Sequence, residues 1–279
     1  MNIFDEPKID CHNHVFDPAR FPYRADAVYC PQGQEVGTAA TFSAALDAYG
    51  VRHALLVGPV SGYGTDNRCL LDALHHGEGR FKGIAMVEHD AGIAQLRALK
   101  DAGVVGVAFN AAMDGTAAVA GADLLFGRLA ELEMFAQIQV EGDQLTDLLG
   151  VIGRSGVRVL IDHCGRPDAA AAAGIGQAGF QALLALAAGG RTYVKLSGMQ
   201  KYSRAGFPYP DARPYVDALL SAFGPDACVW GSDWPFLRAS ERIDYGPLLK
   251  LAEQLMPDPD VRRRVMWETP RRLFGFDER

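Results

Sequence analysis

The sequence is poor in the features that mark several large classes of protein. Its five cysteines are odd in number and never form a Cys-x-x-Cys pair, which argues against a disulfide framework or a cysteine zinc site and favours a cytoplasmic setting. No apolar run approaches the roughly 18 residues of a membrane span. The amino-terminal stretch MNIFDEPKID is acidic where a signal peptide would be basic and then apolar. We therefore expect neither a membrane segment nor a leader.

Positive charge is also scarce. The chain has 27 basic and 34 acidic residues, a formal charge of −7, and no basic stripe, so nucleic acid is not the expected partner. Hydrophobic residues make up 49% of the 279 residues, which excludes disorder as the main state and is ample for a core. These numbers fit a globular protein whose main partner is not nucleic acid.

The sequence does contain short, β-branched apolar runs that alternate with longer amphipathic segments. Continuous runs such as VRVLID suit strands that are buried on both faces, as in a parallel sheet. The predicted strands are Lys8–Asp10, His53–Gly58, Lys82–Val87, Val104–Phe109, Phe135–Val140, Val157–Asp162, Thr192–Leu196 and Cys228–Gly231.

A helical pattern follows each of these strands. The predicted helices are Thr41–Tyr49, Asp66–His76, Ile93–Ala102, Ala122–Glu133, Gln144–Arg154, Phe180–Ala188, Ala212–Phe223 and Tyr245–Gln254. In the fifth, Leu145, Leu148, Leu149 and Ile152 are expected to form the apolar stripe. Eight β/α units predict a (β/α)8 barrel, a single domain over residues 1–279. A doubly wound sheet shows the same alternation, so periodicity alone leaves it open.

Four polar side chains follow three of the predicted strands, where a barrel places its active site. His12 and His14 end strand one and are two residues apart, so they point to the same side. His163 ends strand six, and Asp233 ends strand eight. Imidazoles can polarise a carbonyl or bind a metal, and a carboxylate can take a proton from water. Together these residues predict a catalytic site.

Three sequence runs carry a family resemblance. The runs IDCHNHVFDP, IDHCGRPD and VWGSDWP resemble the amidohydrolase-2 branch of the amidohydrolase superfamily. Within that branch the chain is similar to the 2-pyrone-4,6-dicarboxylate lactonase group, as GVAFN and ETPRRLFGF also indicate. The resemblance extends from Ile9 to Phe276 and implies a barrel enzyme that opens a lactone in the catabolism of aromatic compounds.

The resemblance also implies roles for individual residues. Asp233 would activate the hydrolytic water, and the three histidines would polarise the substrate carbonyl. The remaining substrate contacts of the family would fall on five positions of this chain, namely Tyr29, Ser61, Gln139, Arg166 and Lys201.

Metal ligands of the superfamily are only partly present. Members with two metals use a lysine at strand four and a histidine at strand five, whereas these strands here end at Asn110 and Glu141. The lactonase group implies that no metal is required. The alternative is one zinc ion on His12, His14, His163 and Asp233, whose nitrogen and oxygen donors suit zinc.

The substrate is expected to be a small lactone that carries a carboxylate. Ala108 stands where the resembled lactonases have an arginine, and Lys201, with Arg204 nearby, stands where they have another, so a substrate less anionic than the pyrone dicarboxylate is expected. Two other functions stay open: a zinc-dependent decarboxylase of the same family, and a non-catalytic barrel that binds a small molecule.

Overall fold

The computed structural model describes residues 2–278, which form eight β-strands. The strand order in the sheet follows the chain from the first strand to the eighth, and the recorded pairings are parallel. This is the predicted (β/α)8 barrel architecture, and all eight predicted strands are confirmed. The strands are β1 Lys8–Asn13, β2 Val51–Val57, β3 Phe81–Ala85, β4 Val104–Asn110, β5 Phe135–Gln139, β6 Arg158–Ile161, β7 Thr192–Leu196 and β8 Cys228–Trp230.

Helices follow the strands, and each of the eight predicted helices overlaps an observed helix. Helices α4 and α5, directly after β4, and helices α11 and α12, near the end of the chain, were not predicted. The helices are α1 Ala39–Ala48, α2 Arg68–His76, α3 Ile93–Asp101, α4 Ala111–Asp114, α5 Thr116–Ala120, α6 Asp123–Glu131, α7 Leu145–Ser155, α8 Ala178–Leu186, α9 Arg213–Phe223, α10 Tyr245–Leu255, α11 Pro259–Arg263 and α12 Thr269–Phe274. Within residues 2–278, no helix combines the length and apolarity needed to cross a membrane.

The chain divides into two compact units, of which the first comprises residues 1–88, 98–105 and 230–279. It contains β1, β2, β3, the first two residues of β4 and the last residue of β8. Every residue of β1 is buried, as a strand covered on both faces requires. Asn13, the last residue of β1, forms a parallel bridge with Trp234, which lies beyond the end of β8. The Trp234 indole stacks on Phe42 of α1 with 4.7 Å between the ring centroids. This packing joins the end of β1 to the segment after β8.

The second unit comprises residues 89–97 and 106–229 and contains β5, β6, β7 and most of β4 and of β8. The apolar stripe of α7 differs from the prediction at one position, because Leu149 is 36% exposed whereas Leu148 and Ile152 are buried. Successive helical residues turn by about 100°, so a stripe centred between Leu148 and Ile152 takes in Val151 and leaves Leu149 at its edge. The helix ends at Ser155, one residue after the predicted end, and Gly156 follows it at a left-handed φ of 65°.

Candidate active site

Two histidines stand at the carboxyl end of β1. His12, inside the strand, is buried, and His14, just beyond it, is half-buried. The two rings meet edge to face with centroids 5.2 Å apart. His14 Nδ1 lies 2.9 Å from the carbonyl oxygen of Val57, and since a carbonyl can only accept, Nδ1 carries a proton and donates. This contact fixes the orientation of the His14 ring.

Asp233 follows β8 and faces the first of these histidines. Its side chain is buried, and one carboxylate oxygen, Oδ1, lies 3.8 Å from His12 Nε2. The main-chain N–H of Asp233 donates to the carbonyl oxygen of His12 at 2.8 Å. The Asp233 φ of 64° lies in the left-handed region, which is uncommon for a residue other than glycine. A buried carboxylate beside an imidazole is an arrangement that can accept a proton from water.

His163 follows β6 and is held by the segment after β7. It lies buried in a short 3₁₀ turn, and its Nδ1 is 3.0 Å from the hydroxyl oxygen of Ser197. Gly198 packs directly against this ring. A Cβ at this position would lie only 2.3 Å from His163 Nδ1, so a larger residue does not fit there unless something shifts. The sequence reasoning missed Ser197, although its position directly after a predicted strand was a usable signal.

Three of the four predicted catalytic residues are candidate metal ligands. His12, His163 and Asp233 are buried, and each offers an imidazole nitrogen or a carboxylate oxygen that can bind a metal. Metal binding by His14, the fourth ligand of the zinc alternative, stays a prediction. Two imidazoles and one carboxylate could either hold a metal or act directly on a carbonyl.

Tyr29 and Ser61 are the predicted substrate contacts of the first unit, and a main-chain hydrogen bond links the segments that carry them. Both are half-buried, and the N–H of Gly62, next to Ser61, donates to the carbonyl oxygen of Tyr29 at 2.8 Å. The Tyr29 hydroxyl, however, donates to the Glu35 carboxylate, and this hydrogen bond raises the pKa of Tyr29. Tyr29 is therefore already engaged with a protein group.

Arg238, which the sequence analysis missed, contacts both Tyr29 and Glu35. Its guanidinium lies over the Tyr29 ring, 4.2 Å from the centroid, and its main-chain N–H donates to Glu35 Oε1 at 2.6 Å. A cation over an aromatic face is attracted by the ring and held in place. Because Tyr29 and Arg238 are about two hundred residues apart in the chain, no local pattern could have paired them.

The predicted substrate contacts of the second unit are Gln139, Arg166 and Lys201, and they differ in their surroundings. Gln139 ends β5 half-buried, and Lys201 is half-buried in the 3₁₀ turn Met199–Lys201 after β7. Arg166 is ion-paired, with its guanidinium nitrogen 3.0 Å from Glu141 Oε2. A substrate carboxylate would therefore compete with Glu141 for Arg166.

A buried polar network between β5, β6 and β7 was also not predicted. Lys195 Nζ donates to Gln137 Oε1 at 2.6 Å and lies 3.2 Å from Asp162 Oδ1. Gln137 Nε2 donates to Asp162 Oδ2 at 2.9 Å. These polar residues lie in or directly after strands that were predicted from their apolar runs. The only sequence signal for the network was the presence of single polar residues within those runs.

A comparison with known protein families covers the part of the chain that carries this site. A sequence model of the family described as Amidohydrolase matches residues 9–276, the span that contains every residue of the site. The chain belongs to the amidohydrolase family. The resemblance inferred from the three sequence runs is therefore confirmed.

Individual relatives cover almost the whole amidohydrolase chain. The 4-sulfomuconolactone hydrolase of Rhizobium radiobacter is 32% identical over 273 residues, which are 95% of this chain and 89% of the relative. The 2-pyrone-4,6-dicarboxylate hydrolase of Comamonas testosteroni is 28% identical over 97% of this chain and 90% of its own. A crystal structure described as a 2-pyrone-4,6-dicarboxylic acid hydrolase from Pseudomonas putida matches with a TM-score of 0.86 and 30% identity, covering 98% of each chain.

Proposed function

We propose that this amidohydrolase opens a lactone by adding water to the cyclic ester. The observation that carries the proposal is the buried pair of Asp233 and His12, with a carboxylate oxygen 3.8 Å from an imidazole nitrogen. Relatives at 28–32% identity over most of the chain are named lactone hydrolases, which supports the same reaction class. Such an enzyme would serve the catabolism of small cyclic esters.

The proposed reaction needs one base and a set of polarising groups. Asp233 accepts a proton from water as the water oxygen bonds to the carbonyl carbon. Negative charge then develops on the carbonyl oxygen, which His12, His14 and His163 polarise, and a well-placed donor to such an oxyanion contributes about 2.7–4 kcal/mol. The ring C–O bond breaks, and Asp233 returns its proton to the leaving oxygen. The product is the open-chain hydroxy acid.

The same side chains fit a metal ion. His12, His163 and Asp233 supply two nitrogens and one oxygen, a donor set that suits catalytic zinc with one position left open. When bound, zinc would polarise the carbonyl and ease deprotonation of water. In the metal-independent reaction that the resemblance implies, the imidazoles do this instead. Zinc analysis of protein purified without chelator, with assays before and after chelation, separates the two: activity that survives chelation supports the metal-independent reaction.

The substrate is proposed to carry an anionic group. Three cations stand at the segments that follow the strands: Lys201, the paired Arg166, and Arg238 over the Tyr29 ring. A relative from Acinetobacter baumannii, 27% identical with a TM-score of 0.84, holds citric acid in its crystal structure, which supports a carboxylate ligand. We also infer a cytoplasmic location and no nucleic-acid partner, on the cysteine pattern and the acidic balance of the sequence.

A panel of neutral and acidic lactones, assayed with a pH indicator, tests the proposal. Asp233→Asn keeps the shape of the side chain but removes the proton acceptor, so kcat should fall about 10²–10⁴-fold. Asp101→Asn, the same change at an exposed site, is the matched control. A wild-type protein that opens no lactone would overturn the proposal, and release of carbon dioxide from aromatic acids would favour the decarboxylase instead. Full activity of Asp233→Asn would remove this residue as the base.

A further inference from the structure

A buried carboxylate that the proposed reaction does not use lies two residues before His12. Asp10, fully buried in β1, accepts four hydrogen bonds. Its Oδ1 accepts from the main-chain N–H groups of His12 at 3.2 Å and Ser232 at 3.0 Å. Its Oδ2 accepts from the hydroxyl groups of Ser232 at 2.6 Å and Tyr245 at 2.9 Å. All four partners are donors, which is the arrangement that an ionised carboxylate requires.

The hydrogen bonds of Asp10 reach the residues on both sides of Asp233, the proposed base. Ser232 precedes Asp233, and its hydroxyl oxygen, while donating to Asp10, accepts from the main-chain N–H of Trp234 at 3.0 Å. The N–H of Asp233 itself donates to the carbonyl oxygen of His12, whose own N–H is bound by Asp10. The residues on both sides of Asp233, and its contact to β1, are thus tied to one carboxylate.

The backbone of Asp233 needs such a restraint. Its φ of 64° lies in a region that side chains with a Cβ disfavour, and such conformations persist where the surroundings over-determine them. The approach to β1 is also close, since a Cβ at Gly231 would lie 2.6 Å from His12 Cβ. Trp234 is also held by its bridge to Asn13 and its stacking on Phe42, whereas the bonds to Asp10 restrain Ser232, the residue before Asp233.

We propose that Asp10 is a positioning residue, which acts through the Ser232 hydroxyl to hold Asp233 in its left-handed conformation and so sets the Asp233 carboxylate against His12. The inference rests on the proposed role of Asp233 as the base. Tyr245, from α10, donates to Asp10 Oδ2 and also interacts with the Ser232 side chain, but its loss leaves both Asp10–Ser232 hydrogen bonds in place. The three side chains should therefore differ in their effect on catalysis.

Kinetics of three variants test this ranking. Asp10→Asn places an amide N–H₂ against groups that donate, and Ser232→Ala removes the link to Trp234. Displacement of a catalytic group by about 1 Å can cost 10²-fold in rate, so we expect kcat to fall about 10- to 100-fold in both variants with KM changed less than about twofold. Tyr245→Phe should lower kcat by less than about threefold, because Asp10 keeps both bonds to Ser232.

Two controls separate positioning from loss of folding. Ser155→Ala removes a hydroxyl at the end of α7 and should leave kcat unchanged. Circular dichroism and thermal melting establish that each variant is folded at the assay temperature. Folded Asp10→Asn or Ser232→Ala with wild-type kcat would overturn the inference, as would a Tyr245→Phe loss equal to that of Ser232→Ala.

A crystal structure of Ser232→Ala tests the inference without activity. We expect the Asp233 carboxylate to move away from His12 Nε2, and an unchanged Asp233 φ and His12 contact would overturn the positioning role. Because this measurement does not depend on turnover, it stands even if the wild type opens no lactone, an outcome that would overturn only the proposed function.

Discussion

The buried charges of β1, in the first unit, and of β7, in the second, are satisfied in different ways. In β1 of the first unit, Lys8 and Asp10 are both buried, and each is served by neutral groups. The Lys8 ammonium donates to the main-chain carbonyl oxygens of Phe4, Glu6, Tyr49 and Gly50 at 2.8–3.4 Å. In the second unit, Lys195 of β7 and Asp162 after β6 are 3.2 Å apart and neutralise each other.

The difference has consequences for protonation and for stability. Burial lowers the pKa of Lys8 to about 8, against an opposing effect of Glu6, and burial also raises the pKa of Asp10. Charges served by neutral groups can therefore change protonation state with pH. Charges that pair depend on each other, because removal of one leaves the other buried without compensation. Each arrangement predicts a distinct response to substitution.

The largest expected effect is on the pair in the second unit. Lys195→Met leaves the Asp162 carboxylate buried without its cation, which should lower the free energy of unfolding by about 3–5 kcal/mol. Urea unfolding at neutral pH measures this loss. Adding Asp162→Asn should recover part of it, because the remaining buried group is then neutral. Lys82→Met, at a half-buried position of β3, is the matched control. If Lys195→Met were as stable as this control, the buried charges of β1 and β7 would not differ as described.

The comparison also shows what the sequence can and cannot predict. Continuous apolar runs predicted all eight strands because a strand buried on both faces must be apolar along its length. The strand ends then located His12, His163 and Asp233. The bonds of Asp10 to Ser232 and of Lys195 to Gln137 depend on which strands become neighbours and on their register. Their partners are separated by 222 and 58 residues, which no local pattern can connect.

The second prediction concerns the pH dependence of stability. In the folded protein the pKa of Lys8 is about 8, below the 10.5 of an ordinary lysine, so between these values the unfolded chain binds more protons than the native one. Stability should therefore rise with pH across this window, and the cost of the buried charge is fully present below pH 8. At 1.36 kcal/mol per unit, the rise due to Lys8 is at most about 3 kcal/mol.

Comparison of wild type with Lys8→Met isolates this contribution. Other groups titrate in the same range, but they do so in both proteins and cancel in the difference. The gap between the two unfolding free energies should change between pH 8 and 10.5 and stay constant from pH 7 to 8. Parallel curves over the whole range would show that the four carbonyl oxygens keep Lys8 charged as readily as water does.

The smallest expected effect extends the comparison to Lys201, a lysine that is proposed to bind an anionic group of the substrate. Lys201 is half-buried in the turn after β7, the strand that carries the paired Lys195. Lys201→Met should weaken binding of acidic lactones by roughly 1.5–3 kcal/mol, about 10- to 100-fold in KM, because a charged hydrogen bond is lost. Neutral lactones should be affected less than about twofold. Arg204→Gln is the informative partner variant, since the exposed Arg204 guanidinium already lies 3.4 Å from Asp168 and should contribute less. Equal losses on acidic and neutral substrates would assign Lys201 to the fold and leave Arg166 and Arg238 as the cations that meet the substrate.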